Sequence, residues 1–298
     1  MTYLYDKTKP DEWKKFLDEN GYVVLRDILN KEEKDNIFST FLEEMKEVSP
    51  NLDFNNEETF INLNTPIIFN KGIACFNGFG QSNFMWKLRI NNDIQDIFKY
   101  VYKTDELVTS LDGFSLFVSS KQKSTPWLHV DQNPKNTLYS IQGSYNFKPV
   151  DNDSAGFVLI PKSHLNKQEH VKHSKDWIIM EDQKVLMKQS IKLIIPENCF
   201  VLWNSKLIHA NTGMSKGTRF DRLTSYITYL PKSLRTDDML EKRKLAYINS
   251  ETTSHWANKC EIKKYPYGFK KNYENKNFNS LKSLMIDDKI PRDRLQLL

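Results

Sequence analysis

Apolar positions recur along this chain with two different periods, and the period changes near residue 107. In the first third they follow a helical rhythm. Behind Pro10 and Asp11, Trp13, Phe16 and Leu17 fall on one face. Gly21 stops that run, and Tyr22-Val23-Val24-Leu25 reads as a short strand. Asn30 followed three residues on by Glu33 has the form of a capping box. After it, Ile37, Phe38, Phe41, Leu42, Met45 and Val48 return at helical spacing, which predicts an amphipathic helix closed by Pro50. Residues 51–82 are rich in Asn and Gly and are expected to be long loops. Ile94, Ile97, Phe98 and Val101 predict another helix.

From about residue 107 the period becomes two. In LVTSLDGFSLFVSS, Phe114, Leu116 and Val118 alternate with Ser115, Phe117 and Ser119. LYSIQGSYNF, GFVLIP, QSIKLII, CFVLW and LTSYITYL follow, separated by turn residues such as Asn133-Pro134 and Pro196-Glu197-Asn198. Many short strands at such spacing predict a β-sandwich or barrel. Beyond Pro231 the chain is Lys-rich and helix-like over DDMLEKRKLAYIN. The expectation is a mainly β core with helical flanks, α+β in class, in one domain over 1–298. That domain has a mostly helical region at 1–106, the β core at 107–232 and a basic extension at 233–298.

Composition narrows this picture only slightly. The 298 residues include 12% aromatics, so the chain folds; a net charge of +5 is explained best by a lysine-rich solvated surface, suits an anionic small-molecule substrate and is weak evidence for nucleic acid. The three cysteines, Cys75, Cys199 and Cys260, are odd in number and far apart, which excludes a disulfide framework or a CxxC zinc site. No apolar run is long enough for a membrane span. A soluble, cytoplasmic protein is expected; oligomeric state is left open.

The candidate chemistry lies in WLHVDQ, residues 127–132. Positions 129 and 131 share a strand face, so His129 and Asp131 point the same way. His209, where a later strand meets a turn, supplies a second imidazole. Two histidines and one carboxylate on one face of a metal form the facial triad of non-haem Fe(II), leaving positions open for a 2-oxo acid and O2. Arg219 and Arg222 follow His209 in GTRFDRLTSYITYL, and either can grip a carboxylate as a bidentate fork.

WLHVDQ, IQGSYNFKPVDNDSAGFVLIPKSH, CFVLWNSKLIHANTG and RLTSYITYLP, in that order, together resemble the phytanoyl-CoA dioxygenase-like family of Fe(II)/2-oxoglutarate oxygenases. Upstream, FLDENGYVVLRDILNKEEKDNI and LVTSLDGFSLF extend the resemblance, which spans about residues 12–260. It implies a double-stranded β-helix, a jelly roll of cupin-like type, with helical extensions at both ends. It implies Fe(II) on His129, Asp131 and His209, with 2-oxoglutarate as cosubstrate. Arg222, with Tyr229 seven residues on, fits the strand-opening arginine that holds 2-oxoglutarate, while Arg219 lies nearer the usual spacing from the distal histidine. Relatives that halogenate lack the carboxylate; Asp131 is retained, which implies hydroxylation of a small organic substrate with release of succinate and CO2. Ala155-Gly156 and Pro161-Lys162-Ser163-His164 depart from the family's Gly-Gly and Pro-Gly-Ser-His, and His164 is expected to be structural. Asn211 stands where some relatives carry a hydroxyl residue.

Two other functions remain open at this point: a catalytically silent β-helix used for binding, and a cupin-type metalloenzyme that does not use 2-oxoglutarate. Gln142 and Tyr145 are candidates to face the site, depending on register, and Trp127 and Gln132 flank the triad. Trp203 is expected in the core. His164, His170 and His173 fit a polar surface helix better than a second metal site. Lys263, Lys264, Lys270 and Lys271, interleaved with Tyr265, Tyr267 and Phe269, have a pattern able to bind single-stranded nucleic acid, but a solvated tail explains them better.

Overall fold

The structure is a computed structural model that describes residues 3–61, 72–122, 127–166, 175–263 and 279–298. His170, His173 and the basic aromatic stretch beyond Lys263 lie outside the described residues. In chain order the first elements are β1 (Leu4–Asp6), α1 (Pro10–Asn20), β2 (Tyr22–Arg26), α2 (Lys31–Val48), β3 (Ile73–Ala74), α3 (Asn83–Arg89), α4 (Asn92–Tyr102), β4 (Leu107–Thr109) and β5 (Phe114–Ser119). They are followed by β6 (His129–Val130), β7 (Ile141–Asn146), β8 (Gly156–Leu159), β9 (Ile178–Ile179), α5 (Gln183–Gln189), β10 (Ile191–Lys192), β11 (Cys199–Asn204), β12 (His209–Thr212), β13 (Thr218–Tyr226), β14 (Tyr229–Pro231) and α6 (Asp237–Ile248). The molecule is thus mixed α+β. Among the described residues no helix is long and apolar enough to cross a membrane, and the three cysteines are free thiols.

The chain divides into two compact units: Met1–Ile28 with Phe117–Leu223, and Leu29–Leu116 with Thr224–Leu298. In the first unit, β2 runs parallel to β1, with Leu4 opposite Val24, and antiparallel to β11. β11 in turn pairs antiparallel with β7, placing Trp203 opposite Gln142 and Val201 opposite Ser144. A second sheet has the order β10-β8-β12-β6-β9. The two sheets lie face to face, since Phe157 of β8 packs on Trp203 of β11 with ring centroids 5.0 Å apart. The outer face of the second sheet buries Leu128, Val130, Val158, Ile178, Ile208 and Ala210, with Leu186 and Met187 of α5 packed against them.

Helix α1 buries Trp13, Phe16 and Leu17, as the pattern predicts. It ends at Gly21, whose φ of 82° is left-handed and whose Cβ, were there one, would meet His164 Nδ1 at 2.4 Å. Only glycine satisfies both demands. His164 lies apart from the triad, its Nε2 3.1 Å from the Asp18 carbonyl oxygen. Lys162, the residue at the departed glycine position, has a φ of 65°, in the left-handed region.

In the second unit, the predicted capping box is present at both ends: the Asn30 side chain accepts from Glu33 N–H, and Asn30 N–H donates to Glu33. Ile37, Phe41, Met45 and Val48 of α2 are buried. Residues 51–82 are not wholly loop as expected: they contain β3 and two 3-10 turns, Glu57–Thr59 and Phe79–Gln81. Helix α3 has no clear sequence signal. Its start is held from α2, where buried Glu44 accepts from Asn83 N–H at 2.6 Å and Phe84 N–H at 3.1 Å. That acceptor satisfies two of the donors a helix start leaves bare.

Candidate metal centre

Antiparallel pairing of β6 with β12 places His129 directly opposite His209. The rings stand 4.4 Å apart between centroids. Asp131 is not on the strand itself, as the alternation suggests, because β6 ends at Val130. The chain turns there, and the backbone N–H groups of Asp131 and Gln132 both donate to Ser205 O at 3.0 Å. This corner returns the carboxylate to the two imidazoles. Asp131 Oδ1 lies 3.3 Å from His129 Nε2, and Oδ2 lies 3.2 Å from His209 Nε2. One ligating atom from each of the three residues falls within 4.8 Å of the others, and all three residues are buried.

Hydrogen bonding decides which ring nitrogen faces inward. His129 Nδ1 is 2.9 Å from Trp127 O, and His209 Nδ1 is 2.9 Å from Leu207 O. A carbonyl oxygen only accepts, so each Nδ1 carries a proton, and in the neutral ring Nε2 then presents a lone pair. Two lone pairs thus converge on a carboxylate, an arrangement that calls for a cation at their centre. Burial, then the neighbouring His209, pushes His129 below the usual histidine range, which favours the neutral, ligating form. The donor set of two imidazoles and one carboxylate fits a divalent transition metal with positions left open.

Surrounding groups fix these three side chains. Gln142 Nε2 donates to Asp131 Oδ2 at 2.8 Å and to Ser205 Oγ at 3.2 Å, while Ser205 Oγ donates to Ser140 Oγ at 2.8 Å. Of the two sequence candidates on β7, it is Gln142 that reaches the triad. Tyr145 points to the other face and donates to Asn198 Oδ1. Gln132 is buried beside the corner, its amide donating to Leu138 O at 2.6 Å. Trp127 stacks on the His129 ring at 4.6 Å and 15°, and its indole N–H donates to Asn211 O at 3.0 Å. Trp177, half exposed, approaches the same imidazole at 5.7 Å. Sequence reasoning missed Trp177, Ser140 and Ser205, because no pattern marks residues that matter only through a turn or a facing loop.

The two arginines differ sharply. Arg219 pairs with Asp221, its Nη2 2.7 Å from Oδ1, and its side chain is 37% exposed. Arg222 is 2% exposed. Its Nη1 donates to Asn211 Oδ1 at 2.9 Å and Gly156 O at 3.1 Å, both on the facing sheet. Asn211 lies two residues beyond His209 and shares its strand face, so this guanidinium lies on the triad's side of the sandwich. The expectation that Arg222 opens its strand is corrected: β13 begins at Thr218 and holds both arginines. What separates them is burial and partner, not strand membership.

No family model matches the chain. It is 24% identical over 265 residues to the Ava biosynthesis cluster protein O of Aspergillus versicolor, covering 82% of this chain and 85% of that protein. Among solved structures, the non-heme alpha-ketoglutarate-dependent carbocyclase SnoK from nogalamycin biosynthesis is similar with a TM-score of 0.54 at 15% identity, over 76% of this chain and 86% of that one. The epimerase SnoN, solved in complex with Fe3+, alpha-ketoglutarate and nogalamycin RO, gives 0.52 at 11% identity over 76% and 85%. EctD from S. alaskensis, solved with 2-oxoglutarate and 5-hydroxyectoine, gives 0.52 at 14% identity over 76% and 77%. At these identities the likeness is one of fold.

Proposed function

We propose that this chain is an Fe(II)- and 2-oxoglutarate-dependent dioxygenase on a double-stranded β-helix, of phytanoyl-CoA dioxygenase-like type, and that it hydroxylates a small organic substrate. The observation that carries the reading is the convergence of His129, Asp131 and His209 with both Nε2 lone pairs turned inward. The shared fold with iron- and 2-oxoglutarate-binding structures supports it.

In this reading His129, Asp131 and His209 hold the metal, and Arg222 binds the far carboxylate of 2-oxoglutarate. Ferrous iron with 2-oxoglutarate supplies oxidation of a substrate C–H bond by O2, releasing succinate and CO2. The protein's own part is placement. The carbonyls of residues 127 and 207 fix the ring tautomers, and the Trp127 ring stacks on His129. Gln142 holds the carboxylate, and its amide N–H keeps Asp131 an acceptor. Buried Arg222 is held by Asn211 and Gly156 on the facing sheet, and its guanidinium can grip a carboxylate as a fork. Retention of Asp131 as a third ligand supports hydroxylation.

The test is anaerobic loading of the full chain with Fe(II), then 2-oxoglutarate, then O2. The expected outcome is one metal per chain and succinate formation, slow and uncoupled without substrate. Protein that binds neither metal nor 2-oxoglutarate overturns the reading.

A further inference from the structure

The inner face of the first sheet is unusually polar for a sandwich core. Gln142, Ser144 and Asn146 alternate along β7 on the side that faces the triad, and each is at most 4% exposed. Inner sandwich faces are normally filled by interdigitating apolar side chains. Gln142 donates to Asp131 and Ser205, and the Asn146 amide donates to Ser144 O. Trp203 differs. It is 3% exposed, yet its indole Nε1–H has no hydrogen-bond partner among the described residues.

A buried indole N–H usually finds an acceptor, because a bare donor loses its hydration without compensation. Trp203 sits opposite Gln142 in the β11–β7 register, so it shares the face from which Gln142 reaches Asp131. Its ring lies 5.6 Å from the His209 ring and 5.0 Å from Phe157. Phe157 pairs with Asn211, the residue that contacts Arg222. The bare donor therefore stands beside the path from the triad to the buried guanidinium.

We infer that Trp203 is a ligand-binding residue whose Nε1–H donates a hydrogen bond to a carboxylate oxygen of 2-oxoglutarate, the dianion that spans from the triad to Arg222. This rests on the oxygenase reading above. An indole is a donor only, so it favours an anionic acceptor and gives nothing to a cationic or donor-only ligand. A phenylalanine would fill the same space without the donor.

Trp203→Phe tests this in the full chain, loaded anaerobically with Fe(II) and titrated with 2-oxoglutarate. Binding is read by the visible charge-transfer absorption and by calorimetry, with no turnover involved. Loss of one hydrogen bond to a charged group is expected to weaken 2-oxoglutarate binding by about tenfold to a hundredfold, with metal affinity unchanged. Should the variant fold poorly, the wild-type protein gives a second measurement. With Zn(II) in place of iron, the Trp203 indole proton, assigned by its contacts to Phe157 and His209, is expected to shift and gain exchange protection when 2-oxoglutarate is added. Unchanged affinity in a folded W203F, or an indole proton that does not respond, overturns this inference and leaves the oxygenase reading standing. Wild-type protein that binds metal but no 2-oxoglutarate overturns both.

Discussion

The two faces of the β10-β8-β12-β6-β9 sheet are built from alternate residues of the strands and the positions just before them, and they have opposite chemistry. Outward lie Leu128, Val130, Ile208 and Ala210, packed in a wholly apolar cluster. Inward lie His129, His209 and Asn211. Burial does not separate them: His129 is 4% exposed and Ile208 is 6% exposed. What differs is how burial is made tolerable. The outer face gains free energy from every apolar group removed from water. The inner face must give each polar group a partner or lose stability. It does so with the carbonyls of residues 127 and 207, with Gln142 and with Asn211, while among the described residues the Trp203 indole N–H has no partner. The outer face holds the strands together, which leaves the inner face to carry the polar groups proposed to bind a ligand.

Changes on either face can break this contrast. The largest effect is expected from His129→Ala, which removes one of the three proposed ligands. It should abolish stoichiometric Fe(II) binding, measured by metal analysis after gel filtration, with a melting temperature close to that of the metal-free wild type. On the opposite face, Leu128→Ala should cost about 2–5 kcal/mol of stability in denaturant titration while the surviving folded protein still binds one metal. If the outer-face variant loses metal while fully folded, the division of labour between faces is wrong. Arg222→Ala should weaken 2-oxoglutarate binding by about tenfold to a hundredfold, the worth of a charge-assisted hydrogen bond in a buried site, whereas Arg219→Ala leaves it in the wild-type range. Equal losses in the two variants would remove the distinction drawn between them. Gln142→Ala should lower metal affinity by about tenfold to a hundredfold, as expected when a ligand loses its orienting partner.

The smallest effect concerns pH. A histidine whose folded pKa lies below its ordinary value contributes stability above that ordinary value and loses it as pH falls through the depressed one. Burial depresses His129 from 6.5, so metal-free protein is expected to melt at a lower temperature near about pH 5 than near about pH 7.5. His129→Phe, which cannot titrate, should flatten that difference.

Much of the scaffold was legible because it depends on local pattern. The buried face of α1, its stop at Gly21, the capping box before α2 and the switch to strands near residue 107 all follow from residues within a turn or two of one another. Helix α3 was not legible. At seven residues it is too short to sustain itself, and its start is held by Glu44, about forty positions earlier. The Asp131 corner was misread as strand because period two continues through WLHVDQ, while the backbone is diverted there by Ser205. Gln142 and Tyr145 could not be told apart by alternation alone, since a slip of one residue exchanges the two faces.

The sequence by itself determined the kinds of atoms available: two imidazoles and a carboxylate in β context, two arginines downstream, and the apolar alternation that would bury them. Those are properties of residue type and near spacing, which the chain carries whatever its fold. Only the tertiary structure decided that His209 lies opposite His129, that both Nε2 atoms turn inward, that Arg222 rather than Arg219 is buried on the triad's side, and that Trp203 keeps a donor unsatisfied. Each of those rests on pairing between strands far apart in the chain. That register is set by packing across two sheets rather than by any local preference.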